Sequence, residues 1–480
     1  MTYSIEQEPN QLTTANAPMV YIVKESDGAI TGAAKFRYIV QVQIGLTDAS
    51  TFTTIAKIKL HKNSAAVGIV DVHKIIRTYL ETQEKNIGNQ ESIAGSIHSI
   101  GITDTSNSFS QGGSLTFGTY NLIGVRILGG YEKASSQTAA PVEQLAPSGT
   151  YTADVVYSIP ATTPFTDTGS NLGGLDIEGT NYPLAGFVPE DSTRKFLTNA
   201  PTAQFVRGGD DSADNIDELT VAFINDGLIT DGDPVVRIYI QYHQADGTSI
   251  ATHFFVNDTA SGGKATANDV KNSLLYFGCG TANLDSQVDN ADAKPSAAGN
   301  SGWAYYRIWG ANGSGTQETK HYYFYKYGSG ASVDDRHQSC TRFDNVRLAW
   351  VNRLGAWDYM NFRGKSTESV DIKKEEMSSV PGTWDSAAFN YNNWDRGRKT
   401  LYTQATRKLT INSDWLNPDE GAWLEELFTS TNVQILGDSN VVYPVVVTDK
   451  SYIKKTSVNN KIKIQYAVKL EYANKVRTNS

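Results

Sequence analysis

Carboxylates, imidazoles and thiols are the side chains here that could do chemistry, and two acidic clusters are the densest of them. Asp210, Asp211, Asp214, Asp217 and Glu218 crowd one stretch, and Asp285, Asp289 and Asp292 gather around Asn290 in another. A hard cation such as calcium takes about six to eight oxygen ligands from a flexible loop. The first cluster supplies the oxygens, but no glycine falls where an EF-hand loop must turn, so both clusters read as solvated loops. The 7 histidines, among them His61, His73, His243, His253, His321 and His337, show no metal-ligand spacing and read as structural or surface residues. Cys279 and Cys340 are the only cysteines. They form neither a disulfide framework nor a zinc pattern, and so few of them point to assembly in a reducing compartment.

The familiar catalytic motifs are absent. There is no G-x-S-x-G, H-E-x-x-H, P-loop or Rossmann fingerprint, and Gly112-Gly113 and Gly262-Gly263 read as turns. A pair of glycosidase carboxylates can lie far apart in a chain, and among 51 acidic residues some pair always looks suitable, so none is singled out. The sequence predicts a non-enzymatic protein with no catalytic residue, no cofactor and no metal. The net charge of −9 and the lack of any basic run argue against nucleic acid as a partner. No apolar stretch approaches the roughly 20 residues of a membrane span. The opening MTYSIEQEPNQ has no basic region followed by an apolar one, so no export signal is expected.

The elements that must position any site are strands. Hydrophobic residues make up 39% and charged residues 19%, with 41 Gly and 25 Tyr, the make-up of a turn-rich all-β protein. Phe36, Tyr38, Val40, Val42 and Ile44 alternate with polar residues, turn at Thr47–Ser50, and return through Ala56, Ile58 and Leu60. Asp71 then offers an N-cap to a short helix carrying Val72, Ile75, Ile76, Tyr79 and Leu80. Some 200 residues later, by the numbering, the pattern recurs. Val236, Ile238, Ile240 and Tyr242 alternate, Asp246-Gly247 signals a hairpin, and Ile250 to Val256 return. Asn268-Asp269 would cap a helix carrying Val270, Leu274 and Phe277. Both copies reach a strand ending in glycine, at Val125–Gly129 and Tyr306–Gly310. The expected class is mainly β, with several antiparallel β-sandwich-like domains and a few short helices. Residues 1–135 form a β-rich domain with one short helix, and 136–200 a Thr/Ser/Gly/Pro-rich linker or insertion. Residues 201–335 form a second β-rich domain related to the first, and 336–480 a C-terminal β domain with one helix at about 418–430. For that helix Asn417 is the cap, Pro418 the first residue, and Trp423, Leu424, Leu427 and Phe428 the buried face. Ile462 to Tyr472 alternate throughout and close the chain as a strand.

One hairpin carries a resemblance. Val346, Leu348 and Trp350 alternate, Asn352, Arg353, Leu354 and Gly355 turn, and Trp357, Tyr359 and Phe362 return. By local physics its aromatics build a core. The run of Asn352-Arg353, Gly355, Trp357-Asp358-Tyr359, Phe362 and Gly364-Lys365 is similar to a hairpin of structural proteins in tailed bacteriophages of the kind seen in phages of Bacteroidetes or marine bacteria. The resemblance covers Arg342 to Glu376 best, and extends more loosely to Val445–Tyr452, Gln465–Tyr472 and Phe36–Val42. It implies a virion protein of the tail, baseplate or neck, assembled in the host cytoplasm. It also implies a homo-oligomeric ring that contacts other phage virion proteins, while the charge and the lack of an apolar span leave no nucleic-acid or membrane partner expected. Trp350, Arg353, Trp357, Tyr359 and Phe362 are the expected contact residues. A carbohydrate-binding or adhesive module is the alternative, supported by the tyrosines and tryptophans. A glycan-degrading enzyme ranks last.

Overall fold

The computed structural model describes residues 3–9, 12–16, 18–45, 52–80, 123–145, 156–159, 198, 200–224, 237–256, 274–285, 291–311, 314–317, 319–327, 343–394, 397–437, 441–453, 464–474 and 476–479. The chain divides into two compact units, Met1–Ser339 with Val351–Asp358, and Cys340–Trp350 with Tyr359–Ser480.

The first unit opens with β1 (Tyr3–Gln7), β2 (Leu12–Thr14) and β3 (Val20–Glu25), then the single turn α1 (Gly28–Thr31). It continues through β4 (Ala34–Gly45), β5 (Thr53–Leu60), β6 (Val67–Asp71), α2 (His73–Ile76), β7 (Ile123–Ala134), β8 (Val142–Leu145) and β9 (Val156–Ile159). One sheet has the order β1-β3-β6, and the other β2-β9-β7-β4-β5 with β8 added to β7. Strand alternation sets which faces meet. Tyr38, Val40 and Val42 from one sheet and Tyr21, Val23 and Val70 from the other share one core cluster. Each such side chain contributes roughly 1.5–3 kcal/mol on leaving water. Glycine permits the closest approach: a Cβ on Gly129 of β7 would fall 2.0 Å from the ring of Tyr3 on β1.

The same plan recurs in β10 (Ala203–Val206), β11 (Thr220–Ile224), β12 (Arg237–His243), β13 (Ser249–Val256), β14 (Leu274–Gly278), α3 (Thr281–Asp285), β15 (Tyr305–Ala311) and β16 (Tyr322–Lys326). The large sheet runs β10-β16-β15-β12-β13 and the small one β11-β14. In both copies the first strand of the large sheet lies parallel to the last, Leu12 opposite Tyr157 and Ala203 opposite Tyr323. In both, the hairpin is followed by a strand in the small sheet, a short helix, and a strand returning beside the hairpin. This Greek-key order is that of immunoglobulin-like sandwiches, an architecture that fixes no function.

Three local expectations need correction. Asp71 is the last residue of β6 and does not cap α2, whose N-cap is Val72 with no side-chain hydrogen bond. Instead Asp71 Oδ1 accepts from Met19 N (2.9 Å) and His73 N (3.1 Å), tying β3 to the helix start. The helix spans His73–Ile76 only, so Tyr79 and Leu80 lie beyond it. In the second copy, Leu274 and Phe277 belong to β14, where pairing with β11 outweighs the helical spacing, and the helix comes later as α3. The turn at residues 47–50 and Val270 lie outside the described residues.

The second unit is built on an eight-stranded sheet: β17 (Val346–Val351), β18 (Trp357–Phe362), β19 (Thr367–Ser378), β20 (Arg398–Asn412), β21 (Val433–Gly437), β22 (Val441–Val447), β23 (Ala467–Tyr472) and β24 (Val476–Asn479). The order is β18-β17-β21-β22-β23-β20-β19, with β24 on β20. Its helix, α4 (Pro418–Thr429), begins where the sequence places it. Asn417 Oδ1 accepts from Glu420 N (2.7 Å) while Glu420 Oε2 accepts from Asn417 N (2.8 Å), a complete capping box. Trp423, Leu424 and Leu427 are buried, with Trp423 against Trp350 at 5.0 Å between ring centres. Among the described residues the closing strand begins at Ala467, and Ile462 lies outside the described residues. Ile464 is buried but only bridges to Leu416, because the chain there pairs with the approach to α4.

Candidate interaction face

The hairpin of β17 and β18 closes as its residues dictate. Gly355 takes φ +82°, and Asn352 Oδ1 accepts from Leu354 N (2.9 Å) and Ala356 N (3.1 Å). Of the five expected contact residues, Trp350, Trp357, Tyr359 and Phe362 are buried in the chain itself, and Arg353 is half-buried. Their rings build the interior, as the local reading has it, and present no open patch.

Four carboxylates of the acidic clusters, those of Asp210, Asp211, Asp217 and Asp285, accept hydrogen bonds from protein donors. Asp217 is fully buried and accepts from Arg207 N and Nε, both at 2.7 Å. Asp211 caps a single 3-10 turn through Ala213 N, and Asp210 Oδ2 accepts from Gly302 N and Ser301 Oγ. Asn215 Nδ2 donates to Asp285 Oδ2 (2.6 Å), so a residue of the first cluster holds one of the second. Asp285 Oδ1 in turn accepts from Ser296 Oγ (2.8 Å). Asp289 lies outside the described residues. Among those described, no group of three or more His, Cys, Asp or Glu could hold a metal ion. Cys279 is buried, and Cys340 lies outside the described residues.

A cleft of about 310 Å³ beside β4 is lined by Lys35, Arg37, His61, Lys62 and Glu132, among others. Its cations are engaged: Lys35 Nζ donates to Ala139 O (2.8 Å), and Lys62 Nζ to Thr31 O (2.6 Å). Glu132, almost wholly buried, is bound by Lys59 Nζ at 2.7 Å. That hydrogen bond, with a second donated by Lys59 to Glu143, holds the Lys59 ammonium above its ordinary range. The arrangement is an ion network that ties Glu132 of β7 to Lys59 of β5.

The surface that stands out is the outward face of the second large sheet. Alternation places Tyr239, Gln241 and His243 on it from β12, Phe254 from β13, Tyr305, Arg307 and Trp309 from β15, and Tyr323 and Tyr325 from β16. Their rings pave the face continuously. Tyr239 stacks on Trp309 at 5.2 Å and 7°, and His243 on Tyr305 at 4.7 Å and 3°. Tyr323 meets both Tyr305 and Tyr325, and Phe205 of β10 extends the row to Tyr327. The guanidinium of Arg237 lies over Phe254 at 4.9 Å, and that of Arg307 over Trp309 at 5.2 Å. Arg307 Nε also donates to Gln241 Oε1 (2.8 Å). Partial burial, then neighbouring hydroxyls, push the Tyr305 and Tyr325 phenols above their ordinary range. The run from His321 to Tyr327 shows one side of this face in the sequence. Its extent escapes sequence reasoning, because four other strands supply the rest.

A second exposed feature lies in the second unit. β19 and β20 form a long ribbon whose tip carries Trp384, Phe389, Tyr391 and Trp394, all 55–77% exposed. Thr383 N donates to Asn390 O (2.9 Å) and Asn390 N to Thr383 Oγ1 (3.0 Å), which closes the tip loop.

No protein-family model and no curated protein matches the chain. Among solved structures, trypsin-activated alpha-2-macroglobulin from Escherichia coli aligns with 87% of this chain and 20% of its own, at 9% identity and a TM-score of 0.18. Salmonella alpha-2-macroglobulin reacted with methylamine aligns with 97% of this chain and 22% of its own, also at 9% identity and a TM-score of 0.18. This chain spans about a fifth of the length of those proteins, and superpositions that loose carry no argument. No helix among the described residues is long and apolar enough to cross a membrane.

Proposed function

We propose that the chain is a non-enzymatic structural subunit that works by protein–protein contact, and that its setting is the tail, baseplate or neck of a tailed-phage virion. The aromatic face of the second large sheet carries the first part of this reading. Tyr, Trp and Arg are the residues that anchor protein interfaces, and here they converge on one open surface. A sugar platform needs a free ring face. On this sheet Tyr239 stacks on Trp309, His243 stacks on Tyr305, and Arg307 lies over Trp309, so these ring faces are engaged within the chain. That surface suits the backbone and side chains of a protein partner. The phage setting rests on the hairpin resemblance alone.

The test is assembly. Purified chain is followed by light scattering and electron microscopy, and particles from an infected culture are probed for it. Defined rings, or co-purification with particles, are expected. Trp309→Ala with Tyr323→Ala should abolish that association while leaving the circular dichroism unchanged. A chain that stays out of particles and binds glycans as an isolated monomer through this face would overturn the reading.

A further inference from the structure

Among the described residues, the outer edge of β19 pairs with no other strand. It runs for 12 residues, all of them exposed. It is the terminal strand of its sheet, so its outer row of amides and carbonyls faces away from β20. The irregularity of the pair lies on β20: Glu375 is opposite Tyr402 and Glu376 opposite Thr400, leaving Leu401 as the extra residue and β19 regular. Edges are ordinarily kept short, bulged, proline-bearing or charged so that a second strand cannot dock. This edge is long and regular and has no proline, so its charge pattern decides what can dock there.

That pattern is Lys373-Lys374-Glu375-Glu376. Lys373, Lys374 and Glu375 make no ion pair among the described residues, whereas Asp371 and Glu376 are paired to Lys408 and Arg398 of β20. A strand whose charge reverses at its middle repels itself in parallel register, because Lys meets Lys and Glu meets Glu. Antiparallel, it attracts itself. About a two-fold axis centred on Lys374, Lys373 stands opposite Glu375 of the other copy, twice by symmetry. Centred on Glu375, Lys374 stands opposite Glu376, again twice. In either register the like-charged central pair has opposite charges on its diagonals, which are within reach of long side chains.

We propose that β19 is a homodimerisation strand, on which a second copy of this chain docks its own β19 antiparallel about a two-fold axis. The contact is isologous and closes after two copies. With the axis at Lys374, Val380 of one arm falls opposite Glu368 of the other. Each aromatic tip then extends past the base of the partner's arm. The proposal uses neither the aromatic face of the first unit nor the phage setting, so it can fail without them.

The test uses full-length chain and charge reversal at exposed positions, of which only Glu376 gives up an ion pair described in the chain, the one with Arg398. Wild type should form dimers at about 100 µM by light scattering. Lys373→Glu with Lys374→Glu gives four like charges in a row, and so does Glu375→Lys with Glu376→Lys. Each variant should self-associate about tenfold more weakly or worse, with unchanged circular dichroism. Mixing the two variants should restore the dimer, because only strand-to-strand pairing of β19 makes each the complement of the other. A wild type that stays monomeric, variants that dimerise as well as wild type, or a mixture that stays monomeric would each overturn the proposal.

Discussion

Asp217 and Asp71 show how carboxylates that look like ligands in a sequence become structural. Asp217 is wholly buried and satisfied by two donors of Arg207, so removing it strands a guanidinium in a site shaped for its partner. Asp217→Ala should cost about 3–5 kcal/mol, read as a lowered denaturation midpoint with unchanged slope. If the loss is below about 1 kcal/mol, the site is better hydrated than its burial implies. Asp71 is half-exposed and titrates in reach of experiment. Burial pushes its carboxyl up, but hydrogen bonds from His73 Nδ1 and from Met19 N and His73 N outweigh it and hold it below the ordinary value of 3.8. The folded value is thus depressed relative to the unfolded one. Its contribution to stability is present above the ordinary carboxylate range and disappears as pH falls through the folded value. Asp71→Asn should therefore melt below wild type at neutral pH, and the gap should close as pH drops below 3.8. A gap independent of pH would assign the effect to packing.

At the scale of elements, the strands that could be read from the sequence are those with one wet face. β4, β12 and the last residues of β23 alternate cleanly because water lies on one side of their sheets. β6 and β14 were hidden. Val67–Asp71 is a five-residue strand whose Val70 and following Val72, Ile75 and Ile76 also fit a helical period, and only pairing with β3 resolves the ambiguity. Val20–Glu25 and Thr220–Ile224, the partners of those two strands, are apolar runs too short for periodicity to tell strand from helix. Packing between sheets is equally invisible in sequence, yet it makes a sharp prediction at Gly129. Tyr3 of β1 occupies the place of the missing side chain, so Gly129→Ala must displace the ring or the strand. Overpacking of this kind costs about 1–3 kcal/mol, and Tyr3→Ala in the same chain should recover part of it. The double-mutant cycle by thermal melts would expose a coupling of opposite sign to the two single losses. Additive losses would mean that β1 does not lie on β7 in solution.

For the whole molecule, the candidate surfaces are juxtapositions, which is why so little of them is legible along the chain. His321 to Tyr327 announces an aromatic strand, but Tyr239, Phe254, Tyr305 and Trp309 join it only through the strand order β16-β15-β12-β13. The hairpin from Val346 to Phe362 is legible as an element, and its aromatics turn out to be interior. The ribbon of β19 and β20 has the reverse character: its residues look like an ordinary half-wet hairpin, and the fold leaves β19 wet on every side. A chain whose stability comes from buried cores should not notice the loss of the ribbon's tip. Replacing residues 379–397 by an Asn-Gly turn removes Trp384, Phe389, Tyr391 and Trp394, exposed aromatics that contribute little to any core. The melting temperature should move by less than about 2 °C, within the usual range of surface changes. Self-association should weaken while the aromatic face of the first unit keeps its partners. A large drop in melting temperature would show that the tip is folded against the body of its own chain, and the ribbon would then be part of the fold rather than an arm.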